Sequence, residues 1–388
     1  MPVTIRANEL GRFGVDRPTL LLDEERARRN IVRMAGKAAA AGVQFRPHFK
    51  THQSAAVGEW FRDAGAEAIT VSSVDMAAYF AANGWQDITV AFPANVREMA
   101  LIDALARDIR LHLVVDAPEA VTALAHDLRH RVHVWIKVDV GKRRAGIPWD
   151  ETERIRDLAQ RIHAAKGLDF AGLLTHAGHT YDAPDAAGVV AIHSSSLARM
   201  RQLQAALRAG GVDPGVISIG DTPGCSLAQS FTGADEIRPG NFVFFDLMQA
   251  RLGVCTNDDI AVAVACPVAG KSAARHELVL YGGAVHLSKD TCRDARGRPT
   301  YGCLATWTGD RWGSPEPGAP VISLSQEHGL VQVEDELFHS VDIGDLVIVL
   351  PAHSCLAADL YSEYLTLRGK RLPRRRSNDR VTTPATAT

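Results

Sequence analysis

Three short segments carry residue types whose spacing can do chemistry. Arg46-Pro47-His48-Phe49-Lys50-Thr51-His52 places a lysine between two histidines just after an apolar run. A lysine at a strand end can be desolvated and form a Schiff base with a carbonyl compound, although taken alone the motif fits a surface lysine equally well. Gly220-Asp221-Thr222-Pro223-Gly224-Cys225 follows the apolar run 216–219. A strand feeding such a loop offers backbone N–H groups and hydroxyls, which suits a phosphate as well as it suits an ordinary turn. Pro351-Ala352-His353-Ser354-Cys355 follows the apolar run 346–350. In an extended segment residues i and i+2 point the same way, so His353 and Cys355 can share one ion. Imidazole with thiolate suits Zn²⁺ best, with Mn²⁺ or Mg²⁺ as alternatives. Two protein ligands leave room for water or substrate, as in a catalytic site. Three further segments, Asp139 to Gly146, Gly172 to His179 with Tyr181 beyond it, and Ser325 to Gly329, each fit a satisfied structural polar cluster when read singly.

These segments need a frame. Between residues 19 and 246, short apolar runs alternate with amphipathic stretches. The expected strands are 19–22, 43–47, 68–71, 88–91, 110–115, 132–138, 170–175, 216–219 and 236–244. In the first helical stretch Ala27, Ile31, Met34 and Ala38 make one apolar stripe, and Asp23 with two following glutamates suits its N-terminus. Strands separated by helices imply parallel βαβ units, and about eight of them favour a closed (β/α)8 barrel. No GxGxxG follows the first strand, which argues against a dinucleotide-binding sheet. After residue 255 the texture becomes β-rich with little helical periodicity, which reads as a mainly antiparallel β domain. The stretch 293–320, rich in Gly, Pro and charge, reads as a long hairpin or loop. The domains expected are therefore a barrel over 15–255, a β domain over 256–368 and a solvated, disordered basic tail over 369–388.

A chain of 388 residues suits two domains, and 46% hydrophobic with 23% charged residues is the balance of a folded globular protein. The formal charge of -2 gives no basic excess for nucleic acid or an anionic membrane. No apolar run approaches the roughly 20 residues of a membrane span, and the N-terminal stretch has no apolar signal core. The six cysteines are scattered without a CxxC pair, so reduced thiols and a cytoplasmic location are expected.

Taken together and in order, RPHFKTH, DVGKRRAG, GLLTHAG, GDTPG, RPGNFVFFD, QEHG and PAHSC make the chain resemble the fold-type III, alanine-racemase-like pyridoxal-phosphate enzymes. Within them it resembles the D-serine dehydratase / D-threonine aldolase family, over about residues 15–368. The resemblance implies a TIM-type barrel, a C-terminal β domain, a homodimer and a D-amino acid substrate. It implies that Lys50 forms the Schiff base with pyridoxal 5'-phosphate, and that Thr222 with the backbone at Gly220 and Gly224 holds the phosphate. His176 and Tyr181 would sit against the cofactor ring, Arg144 would belong to the ring-side polar network, and His353 and Cys355 would bind the metal. The motif RPGNFVFFD carries Phe242 where relatives often carry tyrosine, and Leu280 to His286 also departs from the common versions.

The resemblance leaves the reaction to be chosen. Elimination would remove the β-hydroxyl of a D-3-hydroxy amino acid (D-serine, D-threonine or 3-hydroxyaspartate), giving a 2-oxo acid and ammonia. Retro-aldol cleavage would instead give glycine and an aldehyde. The family's dehydratases use His-x-Cys and its aldolases His-x-Asp, so Cys355 favours elimination. A non-catalytic protein of vitamin B6 homeostasis would lack residues 256–368 and the HxC motif. A racemase would need a second base, for which the β domain offers no convincing tyrosine.

Overall fold

The computed structural model describes residues 4–294 and 296–375 and divides into two compact units. One comprises Arg33–Gly240 with Arg375; the other comprises residues 4–32 with Asn241–Arg374.

In the first unit, eight strands lie side by side and parallel. In chain order they are Gln44–Phe45, Ile69–Val71, Asp87–Pro93, Arg110–Val115, Val132–Asp139, Leu168–Thr175, Val216–Ile219 and Glu236–Ile237. The first pairs with the last, and His48 bridges in parallel to Thr70, so the sheet closes on itself. Phe49 N–H donates to the Thr70 carbonyl (2.8 Å) and Thr70 N–H to that of Pro47 (2.9 Å) at this seam. Strands such as Ile69–Val71 and Arg110–Val115 are buried along nearly their whole length, because helices cover the outside while side chains fill the inside. The helix Thr152–Ala164 shows the complementary pattern, burying Ile155, Leu158, Ala159 and Ile162 at helical spacing. The expected barrel is therefore the observed one, with one strand reassigned.

That strand is Thr19–Leu22. It lies outside the ring, antiparallel to Val262–Ser272 and parallel to Glu363–Thr366. The compact units do not follow the expected division at residues 255/256: the second takes residues 4–32 and begins again at Asn241. Expectation 236–244 also shortens to Glu236–Ile237, because Asn241–Val243 turns as a 3-10 helix.

The second unit is a nine-stranded sheet. Its order is Glu277–Tyr281, His328–Gln332, Trp312–Leu324, Gly302–Trp307, Leu346–Pro351, Val262–Ser272, Thr19–Leu22, Glu363–Thr366 and Arg371–Pro373. All pairings but Thr19–Leu22 with Glu363–Thr366 are antiparallel. The stretch 293–320 is a hairpin, one of the two forms expected of it. It holds strands Gly302–Trp307 and Trp312–Leu324, whose register shifts between Cys303 and Ala305 and between Ala305 and Trp307. Irregular pairing of this kind tolerates Pro315, Pro317 and Pro320, which a regular ladder would exclude. The expected tail is corrected at its start. Arg371–Pro373 pairs with Glu363–Thr366, and Arg374 and Arg375 are buried; residues 376–388 lie outside the described residues. Among the described residues no helix is long and apolar enough to cross a membrane.

Candidate active site

In a ring of parallel strands, the residues just past each strand share one face. Lys50, Arg144, His176, Gly220 and Arg238 all follow the carboxyl ends of their strands. The turn that carries Lys50 is fixed from inside the unit. Phe49 is fully buried against Phe61, Phe80 and Trp85, with ring centroids 4.9, 4.9 and 5.1 Å away. Arg46, buried at the start of the motif, is ion-paired to Glu236 (2.5 Å) and to Asp87. Lys50 itself is exposed at the turn, and its backbone N–H donates to His48 Nδ1 (3.3 Å).

The other expected cofactor-side residues converge. His176 Nδ1–H donates to the Gly220 carbonyl (2.5 Å), and its ring lies 6.5 Å from that of Tyr181. Tyr181 Oη accepts the Thr222 N–H (3.4 Å). Asp221 caps the short helix Thr222–Leu227 through the Gly224 N–H (2.5 Å) and also accepts the Thr180 hydroxyl (2.8 Å). Gly224 has no room for a side chain, since a Cβ there would meet Asp221 Oδ1 and His193 Nδ1 at 2.7 Å. Burial pushes the Asp221 carboxyl up to about 6.

Lys137 was not singled out by its sequence. It is buried, and burial, followed by the charges of Arg238 and Arg144, lowers its ammonium to about 7. Burial and then Lys137, Lys50 and Arg144 hold the His176 imidazole well below its ordinary value, so it is neutral. Arg238 is buried too, with Nη2 donating to the Thr175 carbonyl (2.6 Å). Arg144 and Arg143 line an open cavity of about 830 Å³ with Trp149 and Arg199. Around this buried lysine the charges of Arg238 and Arg144 outweigh those of Asp139 and Asp116, and an anionic phosphate-bearing aldehyde fits that set. Lysine in the middle of the apolar run VHVWIKVD was the available signal, since a charge inside a strand buried on both faces demands a reason.

The second unit holds the remaining pair. His353 Nδ1–H donates to Asp246 Oδ2 (3.0 Å), and Asp246 also accepts from Ser354 N–H (2.9 Å), Asn241 Nδ2 (2.9 Å) and Gln249 N–H (2.9 Å). With Nδ1 committed, Nε2 is left for the Cys355 sulfur, with which the imidazole is hydrogen-bonded. Burial works against a charged His353, but the Cys355 sulfur and the Asp246 carboxylate overcome it and hold its pKa well above the ordinary value. Asn241 Nδ2 donates to Ser354 Oγ (2.8 Å) and towards Cys355 Sγ (3.5 Å). One soft and one borderline donor aimed at each other fit a Zn²⁺ ion. Among the described residues no group of three or more His, Cys, Asp or Glu is arranged to hold a metal. Asp246 and Asn241 are the last and fourth residues of RPGNFVFFD, and nothing in their spacing from His353 announces the contact.

Family models match nearly the whole chain: "Alanine racemase, N-terminal domain" over residues 22–247 and "Putative serine dehydratase domain" over residues 261–367. D-threo-3-hydroxyaspartate dehydratase from Delftia sp. (strain HT23) is 32% identical over 91% of this chain and 94% of its own length. Its solved structure superposes with a TM-score of 0.87 at 31% identity, covering 94% of this chain and 98% of that one. A cysteine-to-alanine mutant of that dehydratase has been solved in the metal-free form. D-serine dehydratase from Dictyostelium discoideum is 27% identical over 89% and 92% of the two chains. D-threonine aldolase from Arthrobacter sp. is 25% identical over 91% and 89%.

Proposed function

We infer that this chain, which belongs to the alanine-racemase-like, fold-type III pyridoxal-phosphate enzymes, is a metal-assisted lyase that dehydrates D-3-hydroxy amino acids to 2-oxo acid and ammonia. The observation that carries the choice of elimination is the His353–Cys355 pair, held by Asp246 and Asn241.

Bound pyridoxal phosphate supplies the electron sink that makes a Cα proton removable. Lys50 would anchor it, with Thr222 and the backbone at Gly220 and Gly224 towards the phosphate and Arg144, His176 and Tyr181 around the ring. The Lys50 amine, once freed by substrate, takes the Cα proton at Nζ. Neutral His176 leaves the ring environment without an added charge at that moment. A Zn²⁺ on His353 and Cys355 would supply a Lewis acid for the β-hydroxyl, so that the leaving group need not be protonated first. Asp246 holds His353 in the tautomer that presents Nε2.

The likeness to D-threo-3-hydroxyaspartate dehydratase and D-serine dehydratase supports a 3-hydroxy substrate with or without a second carboxylate. A cytoplasmic homodimer goes with the reading; among the described residues all six cysteines are free thiols, as a reducing compartment keeps them. The test is direct. The purified protein is given D-serine, D-threonine and D-threo-3-hydroxyaspartate, and products are assayed as ammonia plus oxo acid against glycine plus aldehyde. Ammonia with oxo acid is expected; glycine as the sole product would establish the retro-aldol alternative instead. Lys50→Ala should lose both turnover and the visible absorbance of lysine-linked cofactor, and a variant that kept that absorbance would overturn the lysine assignment.

A further inference from the structure

We propose that Arg375 is a positioning residue for Lys50, acting through Gln53. The inference rests on Lys50 being the lysine that holds the cofactor. Residues Phe49 to Gln53 form one turn, closed by Gln53 N–H donating to the Phe49 carbonyl (3.0 Å). Inside it, Lys50 is gripped at both ends by side chains: its N–H by His48 Nδ1 (3.3 Å) and its carbonyl by Gln53 Nε2 (3.2 Å). Gln53 can do this only in a backbone conformation that side chains rarely adopt, with φ +45°.

Arg375 is what holds Gln53 there. Its N–H donates to the Gln53 carbonyl (2.7 Å), and Nη1 donates to Gln53 Oε1 (3.5 Å). The Gln53 amide is thereby used at both ends, accepting from Arg375 and donating to Lys50. This also fixes which end of the amide faces the lysine, because Oε1 is the only atom that can accept from a guanidinium. Both side chains are buried at 6% exposure, and Arg375 Nε has no hydrogen-bond partner among the described residues. A guanidinium buried with a single neutral acceptor among the described residues is costly for stability alone, so its placement points to the turn it organises. The sequence gives no hint of this, since Arg375 stands in the run LPRRRS, 322 positions from Gln53.

The test compares full-length wild type, Arg375→Ala and Arg375→Lys. Cofactor-free protein is mixed with pyridoxal phosphate, the adduct is fixed by borohydride at timed intervals, and the modified lysine is located by peptide mass spectrometry. Visible circular dichroism of the bound cofactor, hydrogen exchange over residues 47–54 and Tm are read in parallel. Arg375→Ala should slow fixation at Lys50 by roughly fivefold to tenfold, the effect of one lost hydrogen bond in a relay. It should also speed exchange in the turn and weaken the dichroism, and Arg375→Lys, which can still donate to Gln53, should recover most of each. Fixation at Lys50 with wild-type rate and dichroism in Arg375→Ala overturns the proposal alone. So does a lowered Tm with those two readouts unchanged, since the arginine is then merely structural. A label on another lysine in the wild type overturns the Lys50 assignment, and this proposal with it.

Discussion

Asp246 is fully buried and accepts hydrogen bonds from His353, Ser354, Asn241 and Gln249, a saturation that leaves its carboxylate one orientation. Burial by itself would raise its pKa, but the hydrogen bond and charge of His353 and the neighbouring N–H groups bring it below the ordinary carboxylate value. It therefore stays ionised and makes His353 a stronger donor through Nε2. Such outer partners typically alter metal affinity by 10- to 100-fold. Asp246→Asn should weaken Zn²⁺ binding by roughly that factor while leaving pyridoxal phosphate binding unchanged, as measured by competition with a chromophoric chelator and by cofactor titration. An unaltered metal affinity would mean that His353 keeps its orientation without the carboxylate. The residues to which the proposed function gives the chemistry were legible because their types are rare in those places: lysine after a strand, histidine and cysteine two apart. Asp246, Asn241, Lys137 and Arg375 were not. Their meaning comes from a partner remote in the chain, and only the folded backbone supplies it.

At the scale of elements, the helix Thr222–Leu227 is short and is started by a buried carboxylate. Asp221 binds its proton more tightly folded than unfolded, its pKa rising from 3.8 to about 6 through burial. The contribution is thus fully present below about pH 4 and is lost as pH rises through about 6, costing on the order of 3 kcal/mol at neutral pH. Asp221→Asn keeps an oxygen for the Gly224 N–H and for Thr180 but cannot titrate. Urea unfolding of the cofactor-free protein should therefore show a flatter stability profile between about pH 4 and 7 for the variant, with a gain at pH 8. Parallel profiles for the two proteins would refute the account. Element type was mostly readable from period: alternating apolar runs and helical stripes located all eight ring strands, seven of them to within about two residues, while 236–244 overran Glu236–Ile237 by seven. Element partnership was not. Thr19–Leu22 is buried at three of four positions in the β unit, and a barrel strand would look the same. The Pro-rich strand Trp312–Leu324 was legible only as part of a hairpin or loop, because punctuation residues that normally end a strand sit at its irregular pairings.

On the scale of the whole molecule, the two chemistries proposed for dehydration fall to residues of different compact units. Lys50 and the buried cations lie within Arg33–Gly240, and His353 and Cys355 within Asn241–Arg374. Neither set shares a ligand residue with the other, so removing the metal should cut one function and spare the other. After exhaustive chelation the protein should keep its bound pyridoxal phosphate, seen as an unchanged visible spectrum. Ammonia release from D-serine and D-threo-3-hydroxyaspartate should fall by about 100-fold or more, since a Lewis acid on the leaving hydroxyl contributes several kcal/mol. Exchange of the substrate Cα proton with D2O, which the proposed function assigns to Lys50, should continue and be visible by proton NMR. Added Zn²⁺ should restore ammonia release without altering the exchange rate by more than a small factor. If chelation stopped the exchange as well, proton removal at Cα would itself need the metal, and the separation of roles between the units would have to be abandoned.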